Sequence, residues 1–282
     1  MVQSRSESGI VRVVKPRDED DARDQKNADH IGMGVLLTQT RFLTCAHVVN
    51  VALGRNEYEK SGPASDALVT VSFPILEDAK RMQARVLGWS PPGTAGLDCA
   101  VLELTAPAPE PVGISILSVV PGDDLLDDTM SLYGSLEQGH PGAHVTAQVQ
   151  GVVGAQWSQL TVNGPRGIRE GFSGSGVWAR DQRATVGMAV AMQAGTGGIV
   201  GYFLSAERIA EKFGAVIPVI ERRKISLRRQ RSFTLVSLVL FYSLLSHFLA
   251  SGGSATNGLV PWADGSKRLA AFFGVHFFAI IL

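Results

Sequence analysis

Three residues, His47, Asp98 and Ser173, follow one another along the chain and are of the types that together support catalysis by a hydroxyl nucleophile. A serine hydroxyl is a weak nucleophile in its neutral form. A neutral histidine within hydrogen-bond reach can remove its proton, while a carboxylate behind the ring fixes the tautomer and stabilises the imidazolium that forms. These residue types therefore predict acyl transfer through a covalent serine intermediate.

Each of the three residues lies in a distinctive local setting. His47 follows an apolar run and is expected at the end of a strand, whereas Asp98 directly precedes one. Ser173 lies in the glycine turn GFSGSGVW at 171–178, where the backbone amides of Gly171 and Ser173 could form an oxyanion hole. Singly, these settings are also typical of a core histidine, a turn aspartate and a turn serine. Ser175 is the alternative nucleophile within the same turn.

Composition excludes several other classes of function. The chain has 282 residues, and its 26 lysines and arginines equal its 26 aspartates and glutamates, so net charge indicates no nucleic acid partner. Two cysteines, Cys45 and Cys99, are too few for a disulfide framework or a four-cysteine metal site. We expect no metal and no cofactor. Each cysteine adjoins the setting of His47 or Asp98, and the sequence leaves open whether they interact.

Short apolar runs separated by turn residues recur from Ile10 to Leu204, a pattern typical of an all-β barrel or sandwich. A proline-rich break at 106–111 indicates a boundary between two halves. Ser205 is a suitable N-cap for a short helix at 206–213 that closes the globular part.

The composition changes after residue 221. A basic run is followed by nineteen residues without formal charge, 232–250, which as a helix would span about 28 Å, close to the thickness of the hydrocarbon core. A buried soluble helix is the alternative. A second apolar segment, 269–282, is short for a full span. Six basic residues precede the first segment against two in the following loop, so the positive-inside rule places the preceding domain in the cytoplasm. The first residues lack the apolar core of a secretory signal.

At the three motifs the chain resembles the trypsin-like (chymotrypsin-fold) serine peptidases of bacterial and actinobacterial type. The segment TCAH at 44–47 is similar to that family's histidine motif with Cys45 in place of an alanine, Asp98 to its aspartate strand, and 171–176 to its nucleophile loop. The resemblance implies an all-β fold of two six-stranded antiparallel β-barrels of chymotrypsin type and a short C-terminal helix. The apolar segments after it predict one or two transmembrane helices.

The resemblance, the proline-rich break and the change in composition together predict boundaries along the chain. They are an N-terminal strand and charged loop at 1–30, a first barrel at 31–114, a second barrel at 115–215, a basic linker at 216–231, a transmembrane helix at 232–250, a loop at 251–268 and a short apolar segment at 269–282.

Residue roles follow from the same resemblance. His47, Asp98 and Ser173 would form the catalytic triad, Gly171 and Ser173 the oxyanion hole, and Gly167, Ala191 and Met192 part of the substrate pocket. Gly167 offers no carboxylate, which argues against strict cleavage after Arg or Lys. Phe172 stands where digestive enzymes have an aspartate that pairs with a new N-terminal ammonium, so activation by that route is not expected.

The sequence thus predicts a membrane-anchored serine endopeptidase that faces the cytoplasm and acts on protein or peptide substrates. A role in signalling or defence, with an effector or sensor partner, is implied by analogy with the family. The alternative is a latent module of protease fold that binds peptide at the membrane without cutting it.

Overall fold

The structure, a computed structural model, describes residues 9–16, 30–76, 81–93, 96–126, 128–134, 142–154, 157–164, 167–192 and 200–221, together with Phe241. The chain divides into two compact units, Met1–Lys224 and Ile225–Leu282. Apart from Phe241, the predicted segments 232–250, 251–268 and 269–282 lie outside the described residues, as do 222–231 of the basic linker. Among the residues described, no helix is long and apolar enough to cross a membrane.

Six antiparallel strands close the first barrel in the order β1-β2-β3-β6-β5-β4. Their bounds are β1 Ile10–Val14, β2 His30–Leu36, β3 Arg41–Thr44, β4 Leu68–Ser72, β5 Met82–Ser90 and β6 Cys99–Leu104. Strand β1 pairs with both β2 and β4, so the strand that the sequence set apart in an N-terminal segment completes this barrel. Its β-branched Val11, Val13 and Val14 are buried.

Six more antiparallel strands close the second barrel in the order β10-β13-β12-β11-β8-β9. A two-residue strand, β7 Ser118–Val119, lies between the barrels in sequence. The barrel strands are β8 Thr129–Gly134, β9 Ala143–Val153, β10 Trp157–Asn163, β11 Gly176–Ala179, β12 Ala184–Met192 and β13 Val200–Ser205. The predicted all-β fold with two six-stranded antiparallel barrels is confirmed.

Two α-helices with described bounds, and a short 3-10 helix at Gly122–Asp124, accompany the barrels. The predicted C-terminal helix is α2, Ala206–Phe213, and the Ser205 hydroxyl accepts a hydrogen bond from the Arg208 amide. The expectation that His47 ends a strand is wrong, because β3 ends at Thr44 and a seven-residue helix, α1 Ala46–Ala52, begins two residues later. Helix α1 forms because Val48 and Val49 bury their side chains in the first barrel's core.

The segment after α2 returns to the connection between the barrels. Strand β14, Ile220–Glu221, pairs in parallel with β7. The guanidinium of Arg41 also donates a hydrogen bond to the carbonyl oxygen of Val216, at 2.8 Å. The end of the described chain is therefore fixed both to the connection and to strand β3, which leads into the histidine segment.

Candidate active site

His47 and Asp98 meet through two hydrogen bonds. The ring Nδ1 of His47 lies 2.6 Å from Oδ2 of Asp98, and the backbone amide of His47 donates to Oδ1 at 2.9 Å. A carboxylate can only accept, so Nδ1 carries a proton, and in the neutral ring Nε2 then holds the lone pair. Both side chains are largely buried, which strengthens a charge-assisted bond. The arrangement fixes the tautomer that a general base requires.

The backbone at Asp98 has an unusual conformation, and two hydrogen bonds hold it in place. Its φ angle of +50° lies in the left-handed region, which aspartate tolerates better than most residues. The Asp98 amide donates to the carbonyl of Pro91 at 3.0 Å, and the preceding Leu97 amide donates to the Ser90 hydroxyl at 2.9 Å. These contacts come from the end of β5 and its loop, so the neighbouring strand positions the carboxylate against α1.

The nucleophile loop, residues 171–176, has a tightly specified backbone. Gly171 and Gly174 have φ angles of +92° and +88°. A Cβ on Gly174 would collide with the carbonyl oxygen of Met33, so this position requires glycine. The amide of Gly174 donates to the Ala189 carbonyl in β12, and the Ala189 amide donates to the Ser175 carbonyl, both at 2.8 Å. The loop is therefore bonded to the second barrel directly after Ser173.

Two amides of this loop have no hydrogen-bond acceptor in the described part of the chain. The amide of Phe172 donates to the carbonyl of Arg169, and the amide of Ser175 donates to the carbonyl of Phe172. The amides of Gly171 and Ser173 have no acceptor among the residues described. Unused donors on the candidate nucleophile itself and two residues before it are what an oxyanion hole needs.

Ser173 is also fixed to the first barrel through its backbone. Its carbonyl accepts a hydrogen bond from the amide of Met33 in β2, at 2.7 Å, and the Met33 carbonyl accepts one from the hydroxyl of Thr44, at 2.6 Å. Thr44 is three residues before His47. This chain of bonds joins the barrel that carries His47 and Asp98 to the loop that carries Ser173. No local sequence pattern signalled the role of Met33 or Thr44.

The two serines of the loop have different environments. The Ser175 hydroxyl donates to the Tyr133 carbonyl at 2.6 Å, and the residue is only 2% exposed. The hydroxyl of Ser173 lies 3.5 Å from the carbonyl oxygen of Val190, at the outer limit of a hydrogen bond. It makes no hydrogen bond to His47 in the described structure. Ser175 therefore has a structural contact, and Ser173 keeps the hydroxyl that can reorient.

A second histidine, missed by the sequence reasoning, contacts the loop. Nε2 of His30 lies 3.0 Å from the carbonyl oxygen of Gly171. Burial lowers the pKa of His30 to about 4, with the positive charge of Arg12 adding to the decrease and the bond to Gly171 opposing it. His30 is therefore neutral near pH 7. The residues are 141 positions apart, so only the folded chain reveals the contact.

Comparison with known proteins identifies the family. Residues 32–188, more than half of the chain, match the model of the trypsin-like peptidase domain. The chain belongs to the trypsin-like peptidase family. The matched range contains the histidine, aspartate and serine motifs. No curated protein matches the chain in sequence.

Solved structures share the fold of this trypsin-like peptidase. The HtrA-type protease AlgW, solved with a tripeptide, has a TM-score of 0.52 and 16% identity, covering 76% of this chain and 62% of that one. The Rv3671c protease from M. tuberculosis, in its active form, has a TM-score of 0.50 and 16% identity, covering 74% of this chain and 81% of that one. At such identities the similarity shows the fold alone.

The pocket residues predicted for the peptidase are placed only in part. Gly167 is buried, and its neighbour Ile168, which the sequence reasoning did not name, is buried beside it. Ala191 and Met192 end β12, where they pair with Tyr202 and Gly201. Their side chains lie outside the described part of the structure. The substrate pocket remains a prediction.

The two cysteines of the peptidase are free and fully buried. The thiol of Cys45 donates to the carbonyl of Ala189 at 3.3 Å. Burial, with the nearby Asp98 carboxylate, raises the pKa of both thiols, so neither is a thiolate near neutral pH. Ligand atoms of Cys45, His47 and Asp98 lie within 4.8 Å of one another, a grouping that could hold a metal ion. The bond between His47 and Asp98 accounts for most of that closeness.

Proposed function

We propose that this trypsin-like peptidase is a serine endopeptidase that works through His47, Asp98 and Ser173. The observation that carries the proposal is the hydrogen bond between the His47 ring and Asp98, which places a proton on Nδ1 and makes Nε2 the nitrogen that can accept a proton in the neutral ring. A base in that state is what the attacking hydroxyl needs. The unused amides of Gly171 and Ser173 supply the second requirement, a binding site for negative charge.

The reaction would proceed in two halves. As Ser173 Oγ attacks the scissile carbonyl carbon, its proton passes to His47 Nε2, and the carbonyl oxygen becomes an anion held by the amides of Gly171 and Ser173. The C–N bond then breaks, and the amine leaves with the proton from His47. Water, deprotonated by the same nitrogen, attacks the acyl-enzyme and releases the acid, which restores the serine. Asp98 stays ionised and stabilises the imidazolium.

The test is cleavage inside cells. Full-length protein and its Ser173→Ala variant are expressed at matched levels, and new protein N-termini are compared by mass spectrometry. We expect N-termini that are present only with the wild type, and Ser175→Ala should retain them because Ser175 has a structural contact. Identical sets of N-termini in wild type and Ser173→Ala would refute endopeptidase activity under the conditions used.

One observation favours a second candidate, a latent module that binds peptide. The hydroxyl of Ser173 faces the Val190 carbonyl at 3.5 Å and is not bonded to His47. Attack then needs a rotation of the serine side chain, which a bound partner could induce. This candidate would be favoured by a peptide that binds wild type and Ser173→Ala equally tightly and that the wild type does not cleave.

We also propose that the peptidase is anchored in a membrane and faces the cytoplasm. Residues 232–250 carry no formal charge, and the basic side chains before them outnumber those in the following loop. The basic residues on the N-terminal side are Arg222, Arg223, Lys224, Arg228, Arg229 and Arg231, and those in the loop are Lys267 and Arg268.

The test of the anchor is extraction and protease protection. The full chain should sediment with membranes at alkaline pH, and external protease should reach the barrels only after the membrane is broken. Release at alkaline pH would contradict the anchor, and digestion in sealed cells would contradict the orientation.

A role in signalling or defence is proposed from the family resemblance, with an effector or sensor protein as the partner. An effector would appear among the proteins that acquire Ser173-dependent N-termini. Products limited to unfolded or abundant housekeeping proteins would contradict a dedicated effector.

A further inference from the structure

The bond between His30 and Gly171 fixes the tautomer of the His30 ring. A carbonyl oxygen only accepts, so Nε2 must carry the proton and donate it to Gly171. Nδ1 is buried and has no partner among the described residues. A second proton on Nδ1 would lack an acceptor and would add a charge near Arg12. The ring therefore stays neutral and keeps donating from Nε2.

This bond restrains one particular peptide group. The carbonyl of Gly171 and the amide of Phe172 belong to the same planar unit. His30 holds the oxygen of that unit at 3.0 Å, and the carbonyl of Arg169 holds its N–H at 3.1 Å. With both ends bonded, the plane cannot rotate without breaking two hydrogen bonds.

The two unused amides flank the restrained peptide. The Gly171 amide belongs to the peptide unit before it, and the Ser173 amide to the unit after it. Gly171 has a φ of +92° and no Cβ, so steric restraint at Gly171 does little to hold the orientation of the peptide unit between Gly171 and Phe172. Rotation of the unit would move the amide of Gly171 relative to that of Ser173, and so change the geometry that an oxyanion would meet.

We propose that His30 is a positioning residue, which holds the oxyanion-binding amides of the nucleophile loop from the opposite barrel through its bond to Gly171. His30 begins β2 of the first barrel, whereas the loop belongs to the second. The inference rests on the proposed function, because it assigns the restraint to the site where the oxyanion would form. The described hydrogen bond of the His30 ring is to a backbone carbonyl, and not to the side chain of His47 or Ser173.

The test separates a positioning role from a purely structural one. In the full chain, His30→Leu removes the donor with little change in volume, and His30→Gln places an amide N–H at a similar distance from the backbone. Hydrolysis of p-nitrophenyl acetate is measured for each, per active site titrated with a fluorophosphonate. We expect His30→Leu to lower kcat about 10-fold to 100-fold, because the amides stabilise charge present only in the transition state.

The KM of His30→Leu should stay within about threefold of the wild-type value, since the variant removes no contact that the ground state and the transition state share. His30→Gln should recover most of the lost kcat. Folded His30→Leu with wild-type kcat per site, or His30→Gln as slow as His30→Leu, would overturn the inference. If His30→Leu does not fold, His30→Asn takes its place, because the shorter asparagine side chain cannot reach the Gly171 carbonyl. A kcat for His30→Asn equal to that of His30→Gln would likewise overturn the inference.

Failure of the proposed function gives a different result. In that case wild type and Ser173→Ala would hydrolyse the ester at equal rates and no site would titrate. A wild type that titrates and turns over, with His30→Leu unaffected, refutes the positioning role alone.

Discussion

Phe172 anchors the nucleophile loop in the core of the second barrel, and its truncation should be costly. The side chain is 0% exposed and packs within that core. Its ring lies against the backbone of Gly134 at the end of β8, where an added Cβ would overlap the ring. Phe172→Ala is expected to lower the free energy of unfolding by about 3–5 kcal/mol, through lost burial and the cavity that remains.

The contact with Gly134 allows the reasoning to be checked by a double-mutant cycle. Gly134→Ala alone forces a methyl group into the ring, and overpacking of this kind costs about 1–3 kcal/mol. In the combined variant the methyl group enters space that the ring has vacated. The combined loss should therefore fall short of the sum of the two single losses by about 0.5–3 kcal/mol.

The assay is urea unfolding of the full chain, followed by tryptophan fluorescence, with Gly122→Ala as the matched control. A Cβ at Gly122 meets nothing within 4 Å, so that variant should stay within about 0.5 kcal/mol of wild type. A loss below about 1 kcal/mol for Phe172→Ala, or strict additivity with Gly134→Ala, would refute the packing described here.

Three further predictions follow from the geometry of the site. Asp98→Asn should fold and lower kcat by about 10⁴-fold, because an amide cannot hold His47 in the required tautomer, and steady-state kinetics per titrated site would check this. Gly174→Ala should abolish activity through collision with Met33, whereas Gly54→Ala, with a φ of +68° and open space, should cost about 1–2 kcal/mol and leave activity unchanged. Between pH 6.5 and about 4 the unfolded chain binds a proton at His30 that the folded chain does not, so stability should fall on acidification by up to about 3 kcal/mol. Urea unfolding across that range should show a smaller fall for His30→Gln.

The sequence predicts the parts of this protein that depend on local pattern. Short β-branched runs between turn residues indicated an all-β barrel or sandwich, and Ser205 indicated the start of α2. The resemblance to the trypsin-like peptidases implied that the strands form two barrels. His47, Asp98 and Ser173 were identified because each lies in a short motif of defined type. These features depend on residues close in sequence, so their patterns are visible without the fold.

Other features depend on contacts between distant residues. The bond from His30 to Gly171 spans 141 positions, and no sequence pattern around His30 predicts it. The start of α1 was misjudged because the valines after His47 favour a strand by intrinsic preference, while burial in the first barrel stabilises a helix. The separate contacts of Ser173 and Ser175 likewise arise only when Val190 and Tyr133 are brought beside the loop.

The central claim, that Ser173 is a nucleophile activated by His47, is tested most directly by fluorophosphonate labelling of the folded full chain. Mass spectrometry of the labelled protein should place the modification on Ser173, with labelling lost in Ser173→Ala and in His47→Ala. Ser175→Ala should still be labelled, since its hydroxyl is bonded to Tyr133. Labelling on Ser175, labelling that persists in His47→Ala, or no labelling of the folded wild type would contradict the claim.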